Sequence, residues 1–226
     1  MRRLWYCVAH TLTGRYKPQW RFTMTDTTKS LGLSKEISQG LEGLTTGSDD
    51  RLLFPGLFYS LVIEHHRSVI VLCERQLYSS AASLVRCIFE AYVKGLWFSE
   101  FASEEDFAKL RNDTFNKNFY KLVDAIEKKH NNGLKLAKER YWPNLNSFTH
   151  SGTAQLSRRV KGDEIISNFD DELISQILMF SNTYAILAFG KIVEMSDDDS
   201  AYKVFSAIVA KYSEFHPSAN CVQSGL

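Results

Sequence analysis

The stretch that decides the fold is residues 61–98, LVIEHHRSVIVLCERQLYSSAASLVRCIFEAYVKGLWF. Apolar residues recur at three- and four-residue steps on both sides of Ser79 and Ser80, and this period is typical of amphipathic α-helices. The pattern predicts one helix over 51–78 and a second over 81–101. Because the link between them is very short, we predict that they form a long antiparallel helical hairpin.

The rest of the chain continues the helical pattern, and no strand pattern of any length is present. Residues 173–190 form a run without a charged residue, and this run is long enough to span a membrane. Polar residues such as Gln176 and Asn182 interrupt this run, so we predict a central buried helix and no membrane contact. Residues 154–169 are polar and predict a connector. The remaining predicted helices cover 103–112, 116–130, 134–141, 143–150, 170–195 and 204–212.

These elements predict an all-α protein with a single up-and-down helical bundle over 45–215, built on the hairpin. Residues 1–23 hold five basic residues and no acid, and their apolar run is too short for a secretory signal. We interpret them as a loose basic leader or a non-native start, with Met24 as the natural beginning. Residues 216–226 are predicted to be a flexible tail.

Composition excludes several classes of function. The 226 residues carry a net charge of +1, which gives no global attraction to nucleic acid or anionic membranes. The four cysteines form no C-x-x-C pair, so zinc-site spacing is absent and a reduced, cytoplasmic protein is predicted. Phosphate-binding loops, nucleophile elbows and dinucleotide fingerprints are absent as well. We therefore predict no cofactor and no metal.

Two polar pairs stand out against this apolar background. Arg86 and Glu90 are spaced i, i+4 in the second hairpin helix and share one side of it. They are either a structural ion pair or a functional pair, since covered charges are expensive to retain. Asn146 and His150, also i, i+4, form a polar patch at a predicted helix end. A histidine beside an arginine suits phosphodiester cleavage, in which imidazole moves protons and guanidinium holds the charged phosphorane.

Two other motifs favour plainer interpretations. Glu64, His65 and His66 are consecutive and lack the spacing of a helical metal site. The helical period places His65 on the apolar face of the first helix and His66 on its flank. Lysines, arginines and aromatic residues mix over 109–142, but acids are interspersed there. We therefore interpret this region as a solvated helix face rather than an RNA-binding platform.

The hairpin sequence, the later LNSFTHSG at 145–152 and the long apolar helix resemble a group of uncharacterised bacterial all-helical proteins. In that group an R-x-x-x-E and a later N-x-x-x-H recur. The resemblance covers about 50–195 and is similar in outline to HEPN-type domains, helical bundles often found as dimeric ribonucleases in toxin and phage-defence systems. HEPN ribonucleases carry Arg, four to six residues, then His. Here the nearest such pair, Arg140 and His150, has nine residues between, so only tertiary contact lets Arg86 supply the arginine.

Two hypotheses are consistent with these observations. In the first, the protein is a HEPN-like, metal-independent ribonuclease acting as a toxin or phage-defence effector, with RNA as substrate and a cognate antitoxin as partner. His150 is then the general acid and base, Arg86 binds phosphate, and Glu90 and Asn146 orient them. In the alternative, a non-catalytic bundle binds a partner protein or small ligand, and the same residues form a structural network. A homodimer is predicted under either hypothesis, with an exposed aromatic surface formed by Trp97, Phe98 and Trp142.

Overall fold

The computed structural model describes residues 24–131 and 133–214. Nine α-helices and one 3-10 turn, at 157–159, lie within these ranges, and no β-strand does. The prediction of an all-α protein is therefore confirmed. The helices are α1 (Met24–Leu41), α2 (Asp50–Glu74), α3 (Tyr78–Glu100), α4 (Glu104–Arg111), α5 (Phe119–His130), α6 (Leu134–Thr149), α7 (Thr153–Leu156), α8 (Asp171–Ser196) and α9 (Asp199–Glu214).

Helices α2 and α3 are joined by residues 75–77 and pack along each other. Asp49 caps α2 by accepting a hydrogen bond from the Arg51 N–H at 2.7 Å. Gln76, in the left-handed region at φ 58°, turns the chain after α2. The two helices approach closely at Gly95, where a Cβ atom would lie 2.6 Å from the fully buried ring of Tyr59. Glycine is therefore required at this contact.

Helix α8 lies in the core, against α2 and α3. Asp170 caps its first turn by accepting from the Leu173 N–H at 2.8 Å. Among the described helices, only α8 is long and apolar enough to cross a membrane, and 72% of its most apolar window is buried inside the protein. Its apolar character is thus used for packing, as expected of a central helix.

Aromatic rings join the core helices around Phe89 of α3. This ring has four aromatic neighbours with centroids 5.5 to 6.5 Å away, and all four contacts are edge-to-face, a preferred geometry for aromatic pairs. The contacts tie α3 to α5, α6 and α8. The four neighbours are Phe119, Trp142, Phe180 and Tyr184.

Several predictions about individual elements were wrong. Helix α1 was not predicted, because the small polar residues Thr27, Ser30 and Ser34 are buried beside Ile37 and interrupt an apolar stripe. The two helices predicted over 134–141 and 143–150 are one helix, α6, that runs through Pro143. The proline ring faces solvent, and a single proline there removes only one backbone hydrogen bond. The predicted 1–23 leader and 216–226 tail lie outside the described residues.

The predicted aromatic interface is also corrected. Trp97 is 4% exposed and Phe98 is fully buried, where their rings pack against each other and against Phe115. Only Trp142 retains a partly exposed surface. The first two side chains belong to the core of a single chain and are not available to a second copy.

The histidine on the apolar side of α2 is His66, contrary to the predicted placement of His65. His66 is fully buried, and its Nδ1 lies 2.9 Å from Oγ of Ser181 in α8. Burial disfavours the charged imidazolium and lowers the pKa of His66 to about 3. The folded protein therefore keeps this histidine neutral at physiological pH.

His66 is expected to make folding stability depend on pH. An unfolded chain protonates histidine near pH 6.5, whereas folded His66 does so near pH 3. Between these values the unfolded state binds more protons, so the free energy of unfolding falls as pH is lowered. We expect the titration of His66 to lower the free energy of unfolding by about 2 kcal/mol as the pH falls from 7.5 to 5.

Urea unfolding at the two pH values checks this expectation. His66→Asn keeps a polar contact for Ser181 but cannot titrate, so the variant should lose that part of the pH dependence. An identical change in the free energy of unfolding for wild type and variant would refute the role of His66.

Candidate functional site

Arg86 and Glu90 occupy one side of α3, one helical turn apart. Nε of Arg86 donates to Oε1 of Glu90 at 2.7 Å. The side chains of Arg86 and Glu90 are 18% and 28% exposed, so the pair is partly buried and still in contact with solvent. At this degree of burial the ion pair is shielded from solvent more than an ordinary surface pair is.

The C-terminal end of α6 brings two more polar side chains to this pair. Nη1 of Arg86 lies 2.6 Å from Oδ1 of Asn146 and 2.6 Å from Nε2 of His150. Asn146 and His150 are both exposed. Arg86, Glu90, Asn146 and His150, here called the Arg86 cluster, therefore meet at a surface between α3 and α6.

The end of α6 is held against α3 by hydroxyl groups. Oγ of Ser83 lies 2.9 Å from the carbonyl oxygen of Phe148 and 2.9 Å from that of Ser79 in its own helix, so its one proton is shared between them. Thr149 Oγ1 lies 3.4 Å from the carbonyl oxygen of Ser83 and 2.9 Å from that of Leu145. Because these contacts lie one helical turn before Arg86, they set the distance between the two helices at the cluster.

The chain turns sharply after His150. Ser151 has a left-handed backbone with φ 54°, and the Gly152 N–H donates to the carbonyl oxygen of Ser147 at 2.7 Å. A Cβ on residue 152 would lie 2.5 Å from Oγ and 3.0 Å from Cα of Ser147. Only glycine permits the chain to pass this close to Ser147. His150 lies just past the last residue of α6.

Trp142, one turn before Asn146 on α6, lies under the guanidinium. Cζ of Arg86 is 4.8 Å from the centroid of the Trp142 ring, a cation–π contact. Phe119 of α5 stacks on the same indole at 4.6 Å with an interplanar angle of 14°. The indole therefore supports Arg86 and connects the cluster to α5.

The contact with Arg86 indicates the role of the His150 ring nitrogen that faces it. A guanidinium has donors only, so in this contact Nε2 of His150 is the acceptor for Nη1 of Arg86. The cluster thus combines a guanidinium, a carboxylate, an amide and an imidazole whose Nε2 faces the guanidinium.

The structure brings together all four residues that the sequence pointed to, while the chemical roles predicted for them stay predictions. Trp142 was predicted only as part of an aromatic interface, and Ser83, which the helical period places on the same side as Arg86 and Glu90, was given no role in the site. The helical period carried a signal for both, since each lies one turn from a predicted residue on the same helix face. Among the described residues, no group of three His, Cys, Asp or Glu side chains is placed to hold a metal ion.

Comparison with known families gives one match. Residues 59–218 match the model of a family described as "Family of unknown function (DUF6988)". The chain belongs to this family. The matched region of this DUF6988 member includes the whole Arg86 cluster. No curated protein and no solved structure shows significant similarity to the chain.

Removal of the guanidinium is expected to loosen the packing of α6 on α3. Arg86→Ala leaves Glu90 partly covered without its partner and removes the contacts to Asn146 and His150. We expect a loss of about 1–3 kcal/mol in the free energy of unfolding, measured by urea denaturation. Lys109→Ala, which breaks the exposed pair with Glu105, is the matched control and should leave stability unchanged. Equal stability of both variants and wild type would show that the cluster contributes nothing to the fold.

Proposed function

We propose that the protein is a metal-independent ribonuclease of the HEPN-like type, acting as a toxin or phage-defence effector in the cytoplasm, with the Arg86 cluster as its active centre. The observation that carries this proposal is the 2.6 Å contact between Nη1 of Arg86 and Nε2 of the exposed His150. A proton acceptor and a phosphate-binding cation are thereby side by side at a surface that a polymer can reach.

Tertiary contact supplies the pair that the local sequence lacks. HEPN ribonucleases place arginine and histidine a few residues apart on one segment, whereas here they come from α3 and α6. The separation along the chain is 64 residues, yet the two side chains touch. The proposal therefore depends on side-chain geometry, because fold likeness alone does not assign an activity.

The proposed reaction needs only groups of this chain and the RNA. The 2′-oxygen of a ribose attacks the adjacent phosphorus while Nε2 of His150 takes the hydroxyl proton. The P–O5′ bond breaks, and the released 5′-oxygen takes the proton back from the imidazolium. The products are a 2′,3′-cyclic phosphate and a 5′-hydroxyl. Arg86 stabilises the charge that develops on the non-bridging phosphate oxygens.

Arg86 has the capacity for this role. Its Nη2 makes no hydrogen bond to any described residue, so two donors remain for a phosphate. When phosphate also engages Nη1, the contact with His150 is exchanged and the Nε2 lone pair becomes available as a base. Glu90 keeps its bond to Nε and holds the guanidinium in place, and Asn146 orients the other side.

A second candidate function is a non-catalytic bundle that binds a partner protein or a small ligand. It is favoured by the number of contacts that Arg86 already makes, with Glu90, Asn146, His150 and the Trp142 ring. In this case the cluster is a polar staple between α3 and α6. Removal of the imidazole distinguishes the two candidates, because this ring touches the staple only at its exposed edge. Loss of the His150 imidazole would abolish RNA cleavage if the cluster is an active centre. It would change the properties of the protein little if the cluster is only structural.

The finer architecture and the assembly belong to the same proposal. The helices are proposed to form a single up-and-down bundle, supported by the mutual packing of α2, α3 and α8. A homodimer and, for a toxin, a cognate antitoxin are the proposed partners. With Trp97 and Phe98 in the core, a dimer surface must use other side chains, among which Leu53, Leu57 and Leu61 form an exposed stripe on α2.

Incubation of the purified protein with total RNA at neutral pH, with and without a chelator, tests the proposal. We expect cleavage that chelator does not inhibit and that leaves cyclic phosphate ends. His150→Ala should lower the rate about 10²–10⁴-fold while the thermal unfolding midpoint changes little, because the side chain is exposed. His65→Ala, a partly exposed histidine on α2, is the matched control and should cleave like wild type.

Expression in cells gives an independent measurement. Wild type should slow growth, and His150→Ala should relieve the effect at equal protein level. If wild type leaves RNA intact and growth unchanged, the ribonuclease is rejected and the non-catalytic bundle is favoured.

A further inference from the structure

Cationic and aromatic side chains alternate on the surface that leads away from the Arg86 cluster. The guanidinium of Arg86 lies over Trp142. Nζ of Lys138 lies 5.7 Å from the centroid of the same indole and 4.8 Å from that of Tyr120. The order along the surface is therefore Arg86, Trp142, Lys138 and Tyr120, here called the cation–aromatic ladder.

Helical geometry makes the ladder continuous with the cluster. Lys138, Trp142 and Asn146 follow one another at four-residue steps on α6, and His150 follows just past its last residue, so each is a neighbour of the next along the helix surface. Tyr120 comes from the first turn of α5 and retains 43% of its exposure. The far end of the ladder therefore presents an aromatic ring to solvent, next to a lysine.

Two acids of this region, Asp124 and Glu127, are engaged in local structure. Asp124 pairs with Lys128 at 2.9 Å on α5. Glu127 accepts hydrogen bonds from the backbone N–H groups of Gly133 and Lys135, each at 3.1 Å, and so caps the start of α6. These two carboxylates, which are among the acids interspersed over 109–142, are used for local structure, and none of the four ladder residues is acidic.

We infer that the cation–aromatic ladder is the track along which a single-stranded RNA approaches the Arg86 cluster. Single-strand-binding proteins combine cations that follow the phosphates with aromatic rings on which bases stack. The exposed Tyr120 ring supplies a stacking surface and Lys138 a phosphate contact. The inference rests on the proposed function, since it assigns the substrate of that active centre as single-stranded and gives the direction of its approach.

Binding of a non-cleavable strand tests the track separately from catalysis. The probe is a short single-stranded RNA with every 2′-hydroxyl methylated, labelled for fluorescence anisotropy. Tyr120→Ala should weaken its binding roughly tenfold, and Tyr120→Phe, which keeps the ring, should bind like wild type. Lys138→Ala should weaken binding and lower the slope of log affinity against log salt by about 0.7.

The matched control is Lys203→Ala, which removes an exposed lysine of α9, a helix that packs on α1 and α8; its affinity should equal that of wild type. Thermal unfolding of each variant verifies the fold. The inference is overturned if wild type does not bind the probe, if it binds a double-stranded probe as tightly, or if Tyr120→Ala and Lys138→Ala bind like wild type. A wild type that binds the probe through these residues but leaves unmodified RNA intact supports the track and rejects the ribonuclease.

Discussion

The guanidinium of Arg86 is the group on which the arrangement of α3 and α6 depends. It lies in a largely apolar helix with 18% of its side-chain exposure remaining, and a charge in such a position must be matched by acceptors. Glu90 supplies the countercharge from the same helix. Asn146, His150 and the Trp142 ring supply further acceptors from α6. The polar end of α6 thus supplies the partners that the guanidinium of Arg86 requires.

The local half of this site could be predicted from the sequence, whereas the contact between its halves could not. Spacing i, i+4 establishes that Arg86 pairs with Glu90 and that Asn146 shares a face with His150. Which faces meet is decided by packing between the helices, to which the contact of Phe89 with Trp142 belongs. Phe89 lies between the members of the first pair, so its contact with α6 carries the polar groups of both helices to one place.

The elements that were mispredicted share a physical cause, since each depends on contacts that periodicity does not report. Helix α1 packs through serine and threonine as well as Ile37, with Ser30 accepting from Nδ2 of Asn182 at 2.9 Å, so its buried face has a mixed sequence pattern. Pro143 is typical of a helix break, yet the burial of Leu145 and Phe148 beyond it keeps α6 continuous. In each case tertiary packing outweighs local propensity.

A polar staple and an active centre are compatible in one cluster when its contacts differ in burial. The Arg86–Glu90 bond is covered and holds the guanidinium in position. The contacts to Asn146 and His150 lie at the exposed edge, where water can satisfy either side chain once a phosphate replaces it on Nη1. The cost of that exchange is small because no buried group is left unpaired. Glu90 therefore gives the cluster its stability, while the bond between Arg86 and His150 is the one that a substrate can exchange without unfolding the helix pair.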